Sequence, residues 1–409
     1  MSWLVPFSSL TPEQQDAVSL DDKHHKAIIG GPGAGKSMVL LYRFDYLYNL
    51  YNKEVDSIHF FVYTTSLKDF IKSSFSLLDI PNDCITTFDK WCSDTYKKYI
   101  NQSLPYTQSG KSKKPDFEKI RSTVHEQITT GKIKIPLFKA ILIDEAQDMD
   151  QQAVEIICSI TKHVTVAMDG KQQLYDDRLA ESGVLQLLNM KRHNVSLLSA
   201  YRCNPMVTNL AANFIDDIDK RNEFKRQAKN GKGDRYKPLF YIASGFDDEK
   251  KRLAELIHLR LSNNETIGIL FPQKRLVYGY AKGLKELGID IDTDSPRNGL
   301  DFSNGRPKAL TYHEAKGLTF DSVFMPKLDT DAFTNKMSDR LKSLLFVGVS
   351  RAVSWVYLSG IERKLIDVAA NLCNEYSKEY LEIQRYNITD TSNSNQAELL
   401  DDNWLDDVF

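Results

Sequence analysis

The chain has 409 residues, enough for two or three domains that each bury a core. With 42% hydrophobic, 26% charged and 11% aromatic residues it reads as globular; no run of about 18 apolar residues offers a membrane span, and the start, Met1-Ser2-Trp3-Leu4-Val5-Pro6, lacks the pattern of a signal peptide. A formal net charge of −2 decides nothing about nucleic acid, because local distribution governs binding, and five cysteines (Cys84, Cys92, Cys158, Cys203, Cys373), never spaced as CxxC, point to reduced thiols in a cytoplasmic protein without a zinc or iron–sulfur site.

Taken in chain order, Ala27-Ile28-Ile29, Ile58-His59-Phe60-Phe61-Val62, Ala140-Ile141-Leu142-Ile143 and Val164-Thr165-Val166-Ala167-Met168 read as buried parallel strands. Helical patterns lie between them, as at Met38 to Leu50 and Gln151 to Thr161. A second set follows: Pro238 to Ile242, Thr266 to Phe271, Ser322 to Met325 and Trp355 to Leu358, with helices over Asp248 to Leu261 and Arg275 to Leu287. Two α/β halves with a boundary near residue 205 are the simplest account. Between Tyr96 and Lys139 bases outnumber acids, and the short gap there predicts a small basic helical element. That element is either a solvated surface or a nucleic-acid or partner contact aided by Tyr96, Tyr99 and Tyr106. After Arg385 the balance reverses into an acidic, Ser/Thr/Asn-rich stretch expected to be disordered.

The chemistry gathers in two places. Gly30-Gly31-Pro32-Gly33-Ala34-Gly35-Lys36-Ser37 follows a strand and opens a helix, the context in which glycines let backbone N–H groups close around phosphate oxygens. Lys36 then reaches the outer phosphates and Ser37 can ligate Mg2+. About 110 residues later, a strand end delivers Asp144-Glu145-Ala146-Gln147-Asp148. Asp144 there is placed to hold the magnesium and Glu145 to polarise the attacking water. Together they describe a nucleoside triphosphatase.

The remaining motifs carry a family resemblance. Leu10-Thr11-Pro12-Glu13-Gln14-Gln15 resembles the Q motif of superfamily 1 helicases of the UvrD, Rep and PcrA type, and Asp144 to Asp148 resembles their DExQD box. Met168-Asp169-Gly170-Lys171-Gln172-Gln173-Leu174-Tyr175 is similar to GDxxQxIY, and Leu197-Leu198-Ser199-Ala200-Tyr201-Arg202 to LxxNYR. Thr311-Tyr312-His313-Glu314-Ala315-Lys316-Gly317-Leu318 resembles TxHxAKGL, and Leu345 to Ala352 resembles LYVALTRA. The resemblance implies two RecA-like P-loop domains in tandem, parallel sheets flanked by helices with reduced accessory insertions: residues 1–204 binding ATP, with a small basic insert at about 93–138, residues 205–385 as the second, and 386–409 as an acidic tail.

It further implies roles. Gln14 would read adenine, Tyr201 would stack on it, Gly317 would line the ATP site, Gln172 would sense the γ-phosphate or the attacking water, and Arg202 and Arg351 would be arginine fingers. Two ATP-side positions depart from the family: Met38 stands where an arginine would stack on the base, and Thr319 replaces a glutamate that would hold the ribose. The strand-facing positions depart more. Thr64 takes an aromatic place beside Tyr63, Asp177 takes another, and Asp89 replaces a histidine in Thr87-Phe88-Asp89-Lys90. Thr87, Lys90, Thr311 and His313 remain for phosphate contacts.

The expected function is an ATP- and Mg2+-dependent translocase on single-stranded DNA, serving repair, recombination or phage-related DNA processing. The alternative is a nucleotide-gated module that regulates a partner such as a nuclease without unwinding. A protein partner would dock through the basic insert or through the acidic tail, whose tip, Asp401 to Phe409, resembles that of bacterial single-stranded-DNA-binding proteins.

Overall fold

The computed structural model describes residues 4–31, 33–109, 112–169, 181–197, 204–227, 236–294, 299–373 and 375–386. Pro32, Gln172, Asp177, Tyr201, Arg202 and the tail from residue 387 lie outside them. The chain divides into two compact units, Met1–Ser199 and Ala200–Phe409. Among the described residues no helix is long and apolar enough to cross a membrane.

The first unit holds β1 (Lys26–Gly30), β2 (Ile58–Val62), β3 (Ile85–Thr87), an isolated hairpin of β4 (Tyr106–Ser109) and β5 (Ser112–Pro115), then β6 (Ala140–Ile143), β7 (Val164–Met168) and β8 (Val195–Leu197). Six of them form one sheet, β3-β2-β6-β7-β1-β8, with every neighbouring pair parallel. Parallel strands need helical crossovers, which cover both faces, and this is why their sequences are apolar without alternation. Adjacent residues of β2 show it. Phe60 packs on Phe44 of the Lys36–Leu50 helix, with centroids 6.1 Å apart, while Phe61 faces the other way and meets Phe88 edge-on at 5.5 Å. Full burial of each such ring stabilises the unit by about 2–3 kcal/mol.

The Lys36–Leu50 helix is also pinned by charge. Arg43 is wholly buried; its Nε donates to Thr165 Oγ1 (2.8 Å), Nη1 to the carbonyls of Val18 (3.1 Å) and Leu20 (2.7 Å), and Nη2 to that of Asp21 (3.1 Å). His163 Nε2 lies 3.0 Å from Nη2, and burial, with Arg43 beside it, pushes this imidazole down to about 4, so it accepts as a neutral ring. The guanidinium thus ties the end of the Pro12–Ser19 helix and β7 to the middle of the phosphate-loop helix.

The basic insert differs from the expected helical element: it contains the β4–β5 antiparallel hairpin as well as a helix, Phe117–Thr129. That helix buries Ile120 and Val124 in the core of the unit, packing on the Phe88–Tyr99 and Gln151–Ile160 helices. Tyr96 is partly buried against this core, whereas Tyr106 is 56% exposed.

The second unit holds β9 (Leu239–Ala243), β10 (Ile267–Phe271), β11 (Asp292–Thr293), β12 (Lys308–Thr311), β13 (Phe320–Met325), β14 (Ala352–Ile361) and β15 (Glu382–Arg385). They form one parallel sheet in the order β11-β12-β10-β13-β14-β9-β15. The Phe246–Ser262 and Lys274–Glu286 helices bury Leu253, Ile257, Leu276 and Tyr280 with Phe271, Phe324 and Tyr357 of the strands. Two parallel sheets flanked by helices are the architecture of tandem RecA-like domains.

Candidate active site

In an open parallel sheet, ligands bind beyond the carboxyl ends of the strands. The order β6-β7-β1 places three such ends side by side: Asp144 follows β6, Asp169 follows β7, and the glycine-rich loop follows β1. The loop turns into its helix at Gly35, which has φ 82° and ψ 21°. A side chain there would be strained in the left-handed region, and its Cβ would lie 2.7 Å from Gln14 Nε2. Lys36 is 7% exposed and folds back on the loop, donating to the carbonyls of Gly30 (3.0 Å) and Gly31 (3.1 Å). Its Nζ also lies 3.9 Å from Asp169 Oδ2.

Asp144 has no exposed surface; Oδ1 accepts from the Glu145 N–H (3.0 Å), and Oδ2 has no hydrogen-bond partner among the described residues. Burial, and next the Glu145 carboxylate, push Asp144 up to about 7, while the Ser37 hydroxyl and Lys36 act the other way. A buried, under-satisfied carboxylate oxygen beside a helix-start serine fits the partial coordination that Mg2+ takes from protein, the rest coming from phosphate and water. Glu145 is a non-glycine residue at φ 54°, ψ 45°, a conformation that costs on the order of 1 kcal/mol and so signals a local constraint. Gln147 donates from Nε2 to Glu145 Oε2, and its Oε1 accepts from the Asp169 N–H at 3.1 Å.

Gln14 closes the other side of the loop. Its side chain completes a capping box with Thr11, Oε1 accepting from the Thr11 N–H at 3.0 Å, while Nε2 donates to the Ala34 carbonyl at 3.0 Å. The amide expected to read adenine is therefore already a strap on the phosphate loop, with one N–H and one lone pair left for a base. Met38 is 3% exposed, seated behind Gly35.

The strand-facing candidates of the first unit sit at the ends of β2 and β3. Thr64 and Thr87 each cap a helix, their hydroxyl oxygens accepting from the N–H groups of Leu67 (3.1 Å) and Lys90 (3.3 Å), which leaves the O–H of each to donate. Tyr63 is half-buried at the end of β2. Lys90 is paired with Asp94 one helical turn on. Asp89 is not an unbalanced acid: its Oδ1 lies 3.1 Å from Arg121 Nη1, joining the helix it starts to the insert helix.

In the second unit Thr311 ends β12, and its N–H and Oγ1 both donate to Glu314 Oε2, at 2.9 and 3.0 Å. Burial, then the charges of Lys316 and Arg340, lower His313 below the usual histidine range. Gly317 turns the chain at φ 80°. Arg351 is 5% exposed and lies back on its own helix end, Nε donating to the Val347 carbonyl (3.1 Å), Nη1 to that of Leu318 (3.4 Å) and Nη2 to Ser350 Oγ (3.0 Å). To act as a finger it must exchange these partners for a phosphate.

Two family domains match the chain in family order: the UvrD/REP helicase N-terminal domain over residues 10–135 and the UvrD-like helicase C-terminal domain over residues 308–359. The chain thus carries both the N-terminal and the C-terminal domain of UvrD-type helicases. Helicases of this type are DNA-dependent ATPases, which makes the chain a hydrolase of superfamily 1. No curated protein matches it. Among solved structures, the C-terminal domain of a possible DNA helicase from Lactobacillus plantarum WCFS1 is 17% identical, covering 45% of this chain and 99% of its own, at a TM-score of 0.35. Within this UvrD-type site, Asp169 and Gln147 received no role from the sequence. The signal for Asp169 was present, since Val164 to Met168 delivers it at a strand end just as Ala140 to Ile143 delivers Asp144.

Proposed function

We propose that the chain hydrolyses ATP with Mg2+ and couples the cycle to movement along single-stranded DNA. The observation that carries this reading is the convergence of Lys36, Ser37, Asp144 and Glu145 on neighbouring ends of one parallel sheet. Phosphates would be received by the N–H groups of Gly31, Gly33, Ala34 and Gly35 at the helix start, with Pro32 shaping the loop. Lys36 would trade the Gly30 and Gly31 carbonyls for phosphate oxygens. Ser37 and Asp144 would hold Mg2+, which supplies charge neutralisation at the β- and γ-phosphates. Glu145 would orient the attacking water and take up its proton. Gln14, Met38, Tyr201 and Gly317 would surround the nucleoside, Gln172 would sense the γ-phosphate, and Arg202 and Arg351 would stabilise the transition state. Tyr63, Thr64, Thr87, Lys90, Thr311 and His313 would follow the DNA backbone.

The regulatory reading, an ATPase switch without unwinding, is favoured by one observation: Asp89 and Lys90 at the end of β3 are already engaged with Arg121 and Asp94. Steady-state ATPase without polymer and with single-stranded DNA, duplex DNA or RNA, followed by unwinding of tailed duplexes, separates the two. Stimulation by single-stranded DNA supports the translocase; intact turnover with no nucleic-acid response sinks it.

A further inference from the structure

Gln147 is 1% exposed, and both ends of its amide are committed. Nε2 donates to the Glu145 carboxylate, and Oε1 accepts from the N–H of Asp169, the first residue beyond β7. Asp169 in turn places Oδ2 3.9 Å from Lys36 Nζ. A primary amide suits this place because it donates at one end and accepts at the other; a carboxylate would set like charges together, and a hydroxyl is too short to span both partners. The Glu145 backbone is held separately, in its left-handed turn closed by the Asp148 N–H on the Glu145 carbonyl at 2.9 Å. Gln147 therefore acts on the Glu145 side chain.

We infer that Gln147 is a positioning residue that holds the Glu145 carboxylate for the attacking water and ties its orientation to the end of β7, where Asp169 faces Lys36. Nucleotide draws Lys36 away from Asp169, and the change reaches Glu145 through one amide. This rests on the reading of Glu145 as the residue that polarises water.

Two near-isosteric variants of the full chain test it. Gln147→Glu keeps an acceptor for the Asp169 N–H and loses the donor to Glu145; Gln147→Met loses both. With saturating single-stranded DNA each lowers kcat for ATP ~10- to 100-fold while KM stays within ~3-fold, and single-turnover hydrolysis by Glu145→Gln falls less than ~3-fold further when Gln147→Met is added. Unchanged circular dichroism and MgADP affinity show that the variants fold. A kcat within ~2-fold of the parent, a KM that rises as far as kcat falls, or effects that multiply independently in the double variant would each overturn the assignment. Parental turnover by Glu145→Gln alone would instead remove the water-polarising reading, whatever Gln147 does.

Discussion

The ammonium of Lys36 and the carboxylate of Asp169 stand 3.9 Å apart, both nearly devoid of exposed surface. Before nucleotide arrives, the lysine that would grip phosphate therefore already has an anion beside it. Asp169→Asn removes that competitor, and MgADP is expected to bind about 3- to 10-fold more tightly by calorimetry. Weaker binding would show that Asp169 supports the nucleotide.

Lys36→Ala and Glu145→Gln should part company in binding while agreeing in turnover. Each lowers DNA-stimulated ATP hydrolysis at least about 100-fold, but only Lys36→Ala loses affinity for MgADP, because Glu145 acts on water and not on the diphosphate. Equal loss of affinity in both variants would contradict the division of roles.

Arg43→Met takes the guanidinium away from the carbonyls of Val18, Leu20 and Asp21 and leaves the buried Val18 carbonyl and the part-buried other two beside an apolar chain. A loss of about 3–5 kcal/mol is expected from urea unfolding of the first unit. A midpoint equal to that of the parent would mean that water replaces the guanidinium at little cost.

Two buried histidines should make the first unit sensitive to acid, against an opposing contribution from Asp144, whose buried carboxyl is pushed up to about 7. Burial pushes both His59 and His163 down to about 4, against about 6.5 in an unfolded chain. Between those values the unfolded state binds more protons, so the stabilisation is complete above pH ~6.5 and is lost as pH falls toward 4, by a few kcal/mol in order of magnitude. Urea midpoints at pH 7.5, 6 and 5 check this; identical midpoints would rule it out.

Asp89→Asn neutralises an acid at the end of β3 and breaks its pair with Arg121. Because that carboxylate is 40% exposed, stability should change by no more than about 1 kcal/mol. Affinity for single-stranded DNA should rise about 2- to 5-fold at low salt, with the gain fading as salt is added. No change at any salt would place Asp89 away from the DNA path.

What could be read beforehand follows burial. β2, β6 and β7 are covered on both faces and announce themselves as apolar runs. β3 has three residues, two of them threonine, and β12 opens with Lys308, a lysine buried through a 2.8 Å pair with Asp292, so neither shows a run long enough to read. The β4–β5 hairpin is polar, with no alternation to betray it. At the site, residue types spoke for Lys36, Ser37, Asp144 and Glu145, whose chemistry is local to a motif. The Gln147 bridge and the Lys36–Asp169 approach depend on strands that are neighbours only in space.

The pin at Arg43 has a mechanical consequence. It lies seven residues beyond Lys36, roughly 10 Å along the helix axis, and clamps that point to the backbone at Val18, Leu20 and Asp21 and to the Thr165 side chain of β7. The phosphate-loop helix is thus a beam fixed at mid-span. Sliding the whole helix as a piston when phosphate binds would break all of these bonds at once, so the pull on Lys36 is expected to be taken up by bending of the first two turns.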